Sequence, residues 1–387
     1  MRAIQRALVF IAAAVISSCT TPGGSPLVPD SNHISTEMLL DANPLAEGVE
    51  LEDLSQVDIL ELNPGMIMFL DRWIDLHQGD YFKLRRLLYA VMGDGTFDLI
   101  YDETTRTAQE TYRDQRGNCL SFTNMFVAMS RYLGLDAKYQ EVLVPPDWSI
   151  AGQTFILSQH VNVHVDLKFG LDQMIDFNMY DFRISYERRI ISDSRARAHY
   201  FNNIGVEHML EGDTLLALAN FRQSIREDGF FSPVWVNLGI LNNRQGYPNY
   251  AEAAYLKALD VDDTNQVAMS NLAALYQQEG RTELAAQYRN KVESHRMRNP
   301  YYRYQLARTA FDNGDYKTAI DHLKFAVRKN KNDDNFYFLM SLSYFNSGEK
   351  ETAERWMKKA EEVAEMDADK KKYHRKLDML MSNGTGS

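Results

Sequence analysis

Cys119 stands near the head of "RGNCLSFTNMFVAMSRYLGLDA" and is one of two cysteines in the chain, the other being Cys19. Cys19 falls in an N-terminal targeting segment, so Cys119 has no intramolecular disulfide partner in the mature protein. Further on, "QHVNVHVDL" sets His160, Asn162, His164 and Asp166 on one side of a period-two pattern, opposite Val161, Val163, Val165 and Leu167. The segment "MIDFN" then carries Asp176. A thiol, an imidazole and a carboxylate are the set that thiol nucleophilic catalysis needs. The imidazole takes the thiol proton, the carboxylate fixes its tautomer, and the thiolate attacks an acyl carbon. On this reading His160 and His164 are both open as the base, and Asp176, Asp166 and Asp172 as the orienting acid. A zinc site built from Cys119, His160, Asn162 and His164 would use the same residues, but no CxxC or HExxH spacing accompanies them.

These side chains need elements to hold them. Asn118 is a good N-cap, and it makes Cys119 the first residue of a helix. Phe122, Phe126, Met129 and Leu133 recur at helical spacing, and Gly134 ends the run. A cysteine there lies at the positive end of the helix dipole, a position that in general favours a thiolate. The plainer alternative is a buried structural cysteine. The valine alternation predicts a half-buried strand over 159–167, with "KFGLDQ" as a loop and residues 174–178 as the return strand. Upstream, "MIMFLDRWIDL" and "FKLRRLLYAVM" have helical apolar spacing, "GDG" at 93–95 is a turn, and "ETTRTAQETYRDQR" ends as a short helix or loop.

The second half repeats with a period of 34: Gly212, Gly246, Gly280, Gly314 and Gly348, each followed five residues later by Ala217, Ala251, Ala285, Ala319 and Ala353. Phe221, Tyr255, Leu323 and Met357 supply a large apolar residue to the second helix of each unit, whereas the third unit has Arg289 there. The pattern resembles the tetratricopeptide repeat, which implies stacked helix–turn–helix units with a concave face for a protein or peptide partner. Five repeats are expected over 198–360, then a charged capping helix and a disordered tail over 361–387.

The segment from Tyr101 to Asn178 resembles a bacterial transglutaminase-like core, a relative of the papain-like fold. The resemblance rests on "TAQE", "GNC", "GLDAKYQEV" and a strand that opens with a histidine. It implies that Cys119 is the nucleophile, His160 the base and Asp176 the orienting acid, with His164 the runner-up base. Val161 and Asn162 depart from the alanine and tryptophan that many members carry, and Asn118 replaces an acid. Acyl transfer also needs an oxyanion hole. The Cys119 backbone N–H is the first candidate donor and the Gln115 side chain the second.

The N-terminus reads as a signal peptide over 1–18. Arg2 and Arg6 precede the apolar stretch "ALVFIAAAVI", which is shorter than the roughly 20 residues a spanning helix needs. "ISSC" resembles a bacterial lipobox, which implies lipidation of Cys19, and Thr20 fits sorting to the outer membrane, facing the periplasm. A flexible tether is expected over 19–42 and the thiol domain over 43–195. The net charge of -11 argues against nucleic acid as a partner, and no cofactor is implied. The expected architecture is therefore an α+β transglutaminase-like domain followed by an all-α tetratricopeptide solenoid. The expected function is attack on an amide, of a peptide or a glutamine side chain, that ends in hydrolysis. The alternative is a non-catalytic binding scaffold in the cell envelope.

Overall fold

The computed structural model describes residues 33–92, 97, 99–144, 159–167, 172–177, 186–364 and 367–382. Cys19, the signal segment, the 93–95 turn and the C-terminal tail lie outside them. The chain folds as an α+β unit followed by a helical repeat solenoid.

The first unit holds helices α1 (Thr36–Leu40), α2 (Pro64–Trp73) and α3 (Asp80–Met92), then strand β1 (Ile100–Tyr101), helix α4 (Ala108–Asp114), strand β2 (Arg116–Gly117) and helix α5 (Cys119–Tyr132). Strands β3 (Asp136–Leu143), β4 (Gln159–Asp166), β5 (Gln173–Ile175) and β6 (Arg188–Ile191) follow. They form an antiparallel sheet in the order β5-β4-β3-β6, while β1 and β2 pair in parallel beside it. Helix α5 is the spine of this unit. Phe126, Met129 and Leu133 are buried with Val161, Val163 and Val165 of β4, and Phe122 is buried against Phe177, as their periodicity predicts. Burying such side chains is the main stabilising term, about 1.5–3 kcal/mol each. The segment "TAQE" begins a helix because Thr107 and Glu110 form a reciprocal capping box.

Three features differ from the sequence reading. Residues 36–40 lie within the expected tether, yet they form α1, and Leu39 is buried in the apolar core of the repeats. Strand β6, unanticipated in the sequence, adds to the free edge of β3. On β4 the His160–Asn162 end is buried on both faces, and only the His164–Asp166 end is half open.

The repeats are α6 (Asp193–Glu211) with α7 (Thr214–Glu227), α8 (Ser232–Arg244) with α9 (Pro248–Val261), α10 (Gln266–Gln278) with α11 (Thr282–Arg298), α12 (Pro300–Asp312) with α13 (Tyr316–Lys329), and α14 (Asp334–Asn346) with α15 (Lys350–Val363). Helix α16 (Asp367–Ser382) caps them. All five period-34 glycines have positive φ, from 74° to 91°, at the turn inside each unit. Gly239 serves another purpose: a Cβ there would lie 2.4 Å from the Tyr255 ring. Arg289 is exposed, and the apolar core divides beyond that third unit, with Ala285 in one cluster and Ala307 in the next.

Sheet and solenoid meet through buried charge. Glu141 of β3 is 2% exposed. It accepts hydrogen bonds from His199 Nε2 of α6 at 2.6 Å and from Arg189 Nε of β6 at 2.5 Å. Burial alone would raise the Glu141 pKa, but these two partners hold it down at about 2.

Candidate active site

Helix α5 starts where it does because Asn118 caps it: its Oδ1 accepts the Ser121 N–H at 3.0 Å. A Cβ on Gly117 would lie 2.5 Å from Ser121 Cβ, so only glycine lets β2 run this close to the first helical turn. The loop 104–106 brackets that turn. Ser121 Oγ accepts the Arg106 N–H at 2.8 Å and lies 3.2 Å from the Thr104 carbonyl. Thr105 Oγ1 accepts from Asn118 Nδ2 at 2.8 Å. Cys119, half-buried, therefore sits at a firmly held helix start. Its N–H is the first of the helix and has no carbonyl one turn back to bind.

Strand β4 brings His160 to the thiol. The imidazole is 7% exposed, stands close enough to Cys119 to feel its charge, and donates from Nε2 to Asp176, 2.8 and 2.7 Å from its two oxygens. With Nε2 committed to the carboxylate, Nδ1 is the ring nitrogen left for the thiol. The hairpin register explains the meeting. His164 pairs with Met174 and Val163 with Ile175, so the next step places Asp176 beside Asn162, on the face that carries His160. Burial alone would lower the His160 pKa. The Asp176 bond and carboxylate, with Cys119, outweigh it and raise the value to about 9.

The other candidates go elsewhere. His164 is four residues along the strand, about 13 Å away, with Nε2 3.6 Å from Asp172. Asp166 pairs across from Asp136 at the far end of β4. Gln115 caps α4 in the left-handed conformation, with φ 53°, and its carbonyl accepts the Ile100 N–H at 2.9 Å. The short strand β2 joins it to the helix start, and its side chain is half-buried.

Asn162 is a site residue that sequence reasoning treated as a departure from the family and as a member of a candidate zinc set, not as a partner of the carboxylate. Fully buried, it donates from Nδ2 to Asp176 Oδ2 at 2.9 Å. The carboxylate is thus gripped from two sides, by His160 and by Asn162. The signal was present, since Asn162 lies two residues from His160 on the same strand face.

Residues 69–173 match the transglutaminase-like superfamily, and residues 334–365 match the tetratricopeptide repeat. Cys119 and His160 lie inside the first match, and Asp176 lies just beyond it. The chain thus joins a transglutaminase-like core to tetratricopeptide repeats. Among solved structures, a MamA protein is 20% identical at TM-score 0.24, over 44% of this chain and 94% of that one. Pseudomonas aeruginosa pilF is 16% identical at TM-score 0.27, over 49% of this chain and 87% of that one. YrrB, described as a TPR protein with an unusual peptide-binding site, is 14% identical at TM-score 0.24, over 44% of this chain and 89% of that one. None of these likenesses bears on the function of this chain. No curated relative matches it.

Proposed function

We propose that this chain is an envelope-anchored thiol enzyme acting on an amide, with Cys119 as nucleophile, His160 as base and Asp176 as orienting acid. One observation carries the reading: a single buried imidazole stands beside the thiol at a helix start and bonds through Nε2 to a carboxylate. The Cys119 sulfur attacks the amide carbonyl carbon, and the oxyanion forms beside the Cys119 N–H. Gln115 is the second candidate donor, from the adjoining turn. The C–N bond then breaks as His160 gives its proton to the departing nitrogen, leaving a thioester. Water adds to the thioester with His160 as base, and the thiol leaves with the acid as second product. Hydrolysis is favoured over transfer to an amine because water is always at hand. The repeat array holds a protein or peptide, substrate or partner, and lipidated Cys19 keeps the whole at the outer membrane on its periplasmic side.

A thiol-directed, amide-mimicking probe tests this. Native protein should label at Cys119, and Cys119→Ala not at all. His160→Ala should label about 10²–10⁴-fold more slowly, the usual worth of a positioned base. Equal labelling of native and His160→Ala protein would leave the non-catalytic binding scaffold as the better reading.

A further inference from the structure

The first repeat helix reaches into the thiol site. Glu207 lies on α6, yet its carboxylate hydrogen-bonds into the thiol unit. Its Oε1 accepts the Thr105 N–H at 2.8 Å. The Thr105 hydroxyl accepts Asn118 Nδ2 at 2.8 Å, and Asn118 Oδ1 caps the helix at Ser121. The connection is continuous, from a repeat carboxylate through a threonine that is 3% exposed to the cap one residue before Cys119. Burial raises the Glu207 pKa, so the fold keeps a carboxylate where desolvation opposes its charge. Packing of the repeats alone would be served as well by an apolar side chain there.

We propose that Glu207 is a positioning residue for Cys119, acting through Thr105 and Asn118, so that the first repeat is a working part of the thiol site. The proposal rests on Cys119 as nucleophile. Its physical content is geometric. Without Glu207, Thr105 loses the acceptor for its N–H, and the loop that holds its hydroxyl against Asn118 is freed. The Asn118 amide then loses its fixed partner, and the helix start that aims the thiol at His160 loosens. Small misplacements of a reacting group cost rate rather than binding.

The experiment uses the full chain with Glu207→Ala, Glu207→Gln and Thr105→Val, reading the amide-mimicking probe as separate binding and inactivation constants. Glu207→Ala should slow inactivation about tenfold, the worth of one buried hydrogen bond, with probe binding unchanged. Glu207→Gln keeps an oxygen acceptor and should stay within about threefold of native. Thr105→Val leaves the Glu207 bond to the backbone N–H and cuts only the link to Asn118, so it reports even if the alanine variant fails to fold. The double variant Thr105→Val/Glu207→Ala should be little slower than either single one, because the two act in series. Native inactivation constants in a cooperatively folded Glu207→Ala or Thr105→Val protein would overturn the proposal. If native protein ignores the probe, the enzyme reading fails by itself. Iodoacetamide alkylation of Cys119 and hydrogen exchange at the Ser121 amide then decide the positioning role, which predicts that both change in the Thr105→Val variant.

Discussion

Asp176→Asn removes one charge from the site while keeping the side chain's shape. In the native protein His160 is held at about 9 rather than 6.5, because Asp176 and Cys119 outweigh burial. At 1.36 kcal/mol per pH unit, the folded site prefers imidazolium by about 3 kcal/mol. At pH 7 that leaves roughly 99% of the imidazole protonated. With asparagine at 176 the strongest raising influence is gone while burial remains, so His160 should titrate much nearer 6.5. The new amide also confronts Asn162 Nδ2, which now donates to Oδ2 at 2.9 Å, so it must turn its oxygen that way or lose the bond. Turnover should fall about 10²–10⁴-fold, with its alkaline limb moved down from near pH 9. Nitrogen-15 imidazole spectra against pH measure the shift directly, His160 being picked out of nine histidines by its loss in His160→Ala. Folding raises this pKa, so the folded chain holds a proton that the unfolded chain lacks between about pH 6.5 and 9. The stability this contributes is complete below 6.5 and lost as pH rises through about 9. Native protein should therefore lose more thermal stability across that window than the asparagine variant. A native His160 that titrates at or below 6.5, or with the same midpoint in both proteins, would refute the reasoning.

Glu141→Ala leaves His199 and Arg189 facing an empty buried site and should cost about 3 kcal/mol in denaturant unfolding; a loss under about 1 kcal/mol would show the pair to be dispensable. Native Glu141, held at about 2 against 4.5, contributes stability that is full above 4.5 and declines as pH falls towards 2. Gly239→Val drives a side chain into the Tyr255 ring and should destabilise the array by about 1–3 kcal/mol. The isolated segment 198–382 should melt cooperatively as a helical protein, and a far-UV spectrum rich in sheet would count against that. Cys19→Ser should release the protein from membranes; continued pelleting with fatty-acid labelling would end the lipobox reading.

Much of this protein is legible in its sequence because it depends on neighbours along the chain. The period-34 glycines mark helix ends through one residue's φ, the Asn118 cap and the apolar spacing after it define α5, and the valine alternation defines β4. Each is a local rule, so composition and spacing suffice. The meeting of His160 with Asp176 is different in kind. It depends on the β4–β5 register, and a one-residue slip would turn Asp176 to the opposite face. Asn162 became a partner of the carboxylate only through that register, and β6 became a strand only because β3 offered an open edge. The links from Glu141 to His199 and from Glu207 to Thr105 join residues 58 and 102 positions apart, and α1 left its expected tether to bury Leu39 among the repeats. No spacing rule reaches that far. Such contacts arise when two separately folded surfaces dock, and each buried polar group then takes whichever partner the other surface presents.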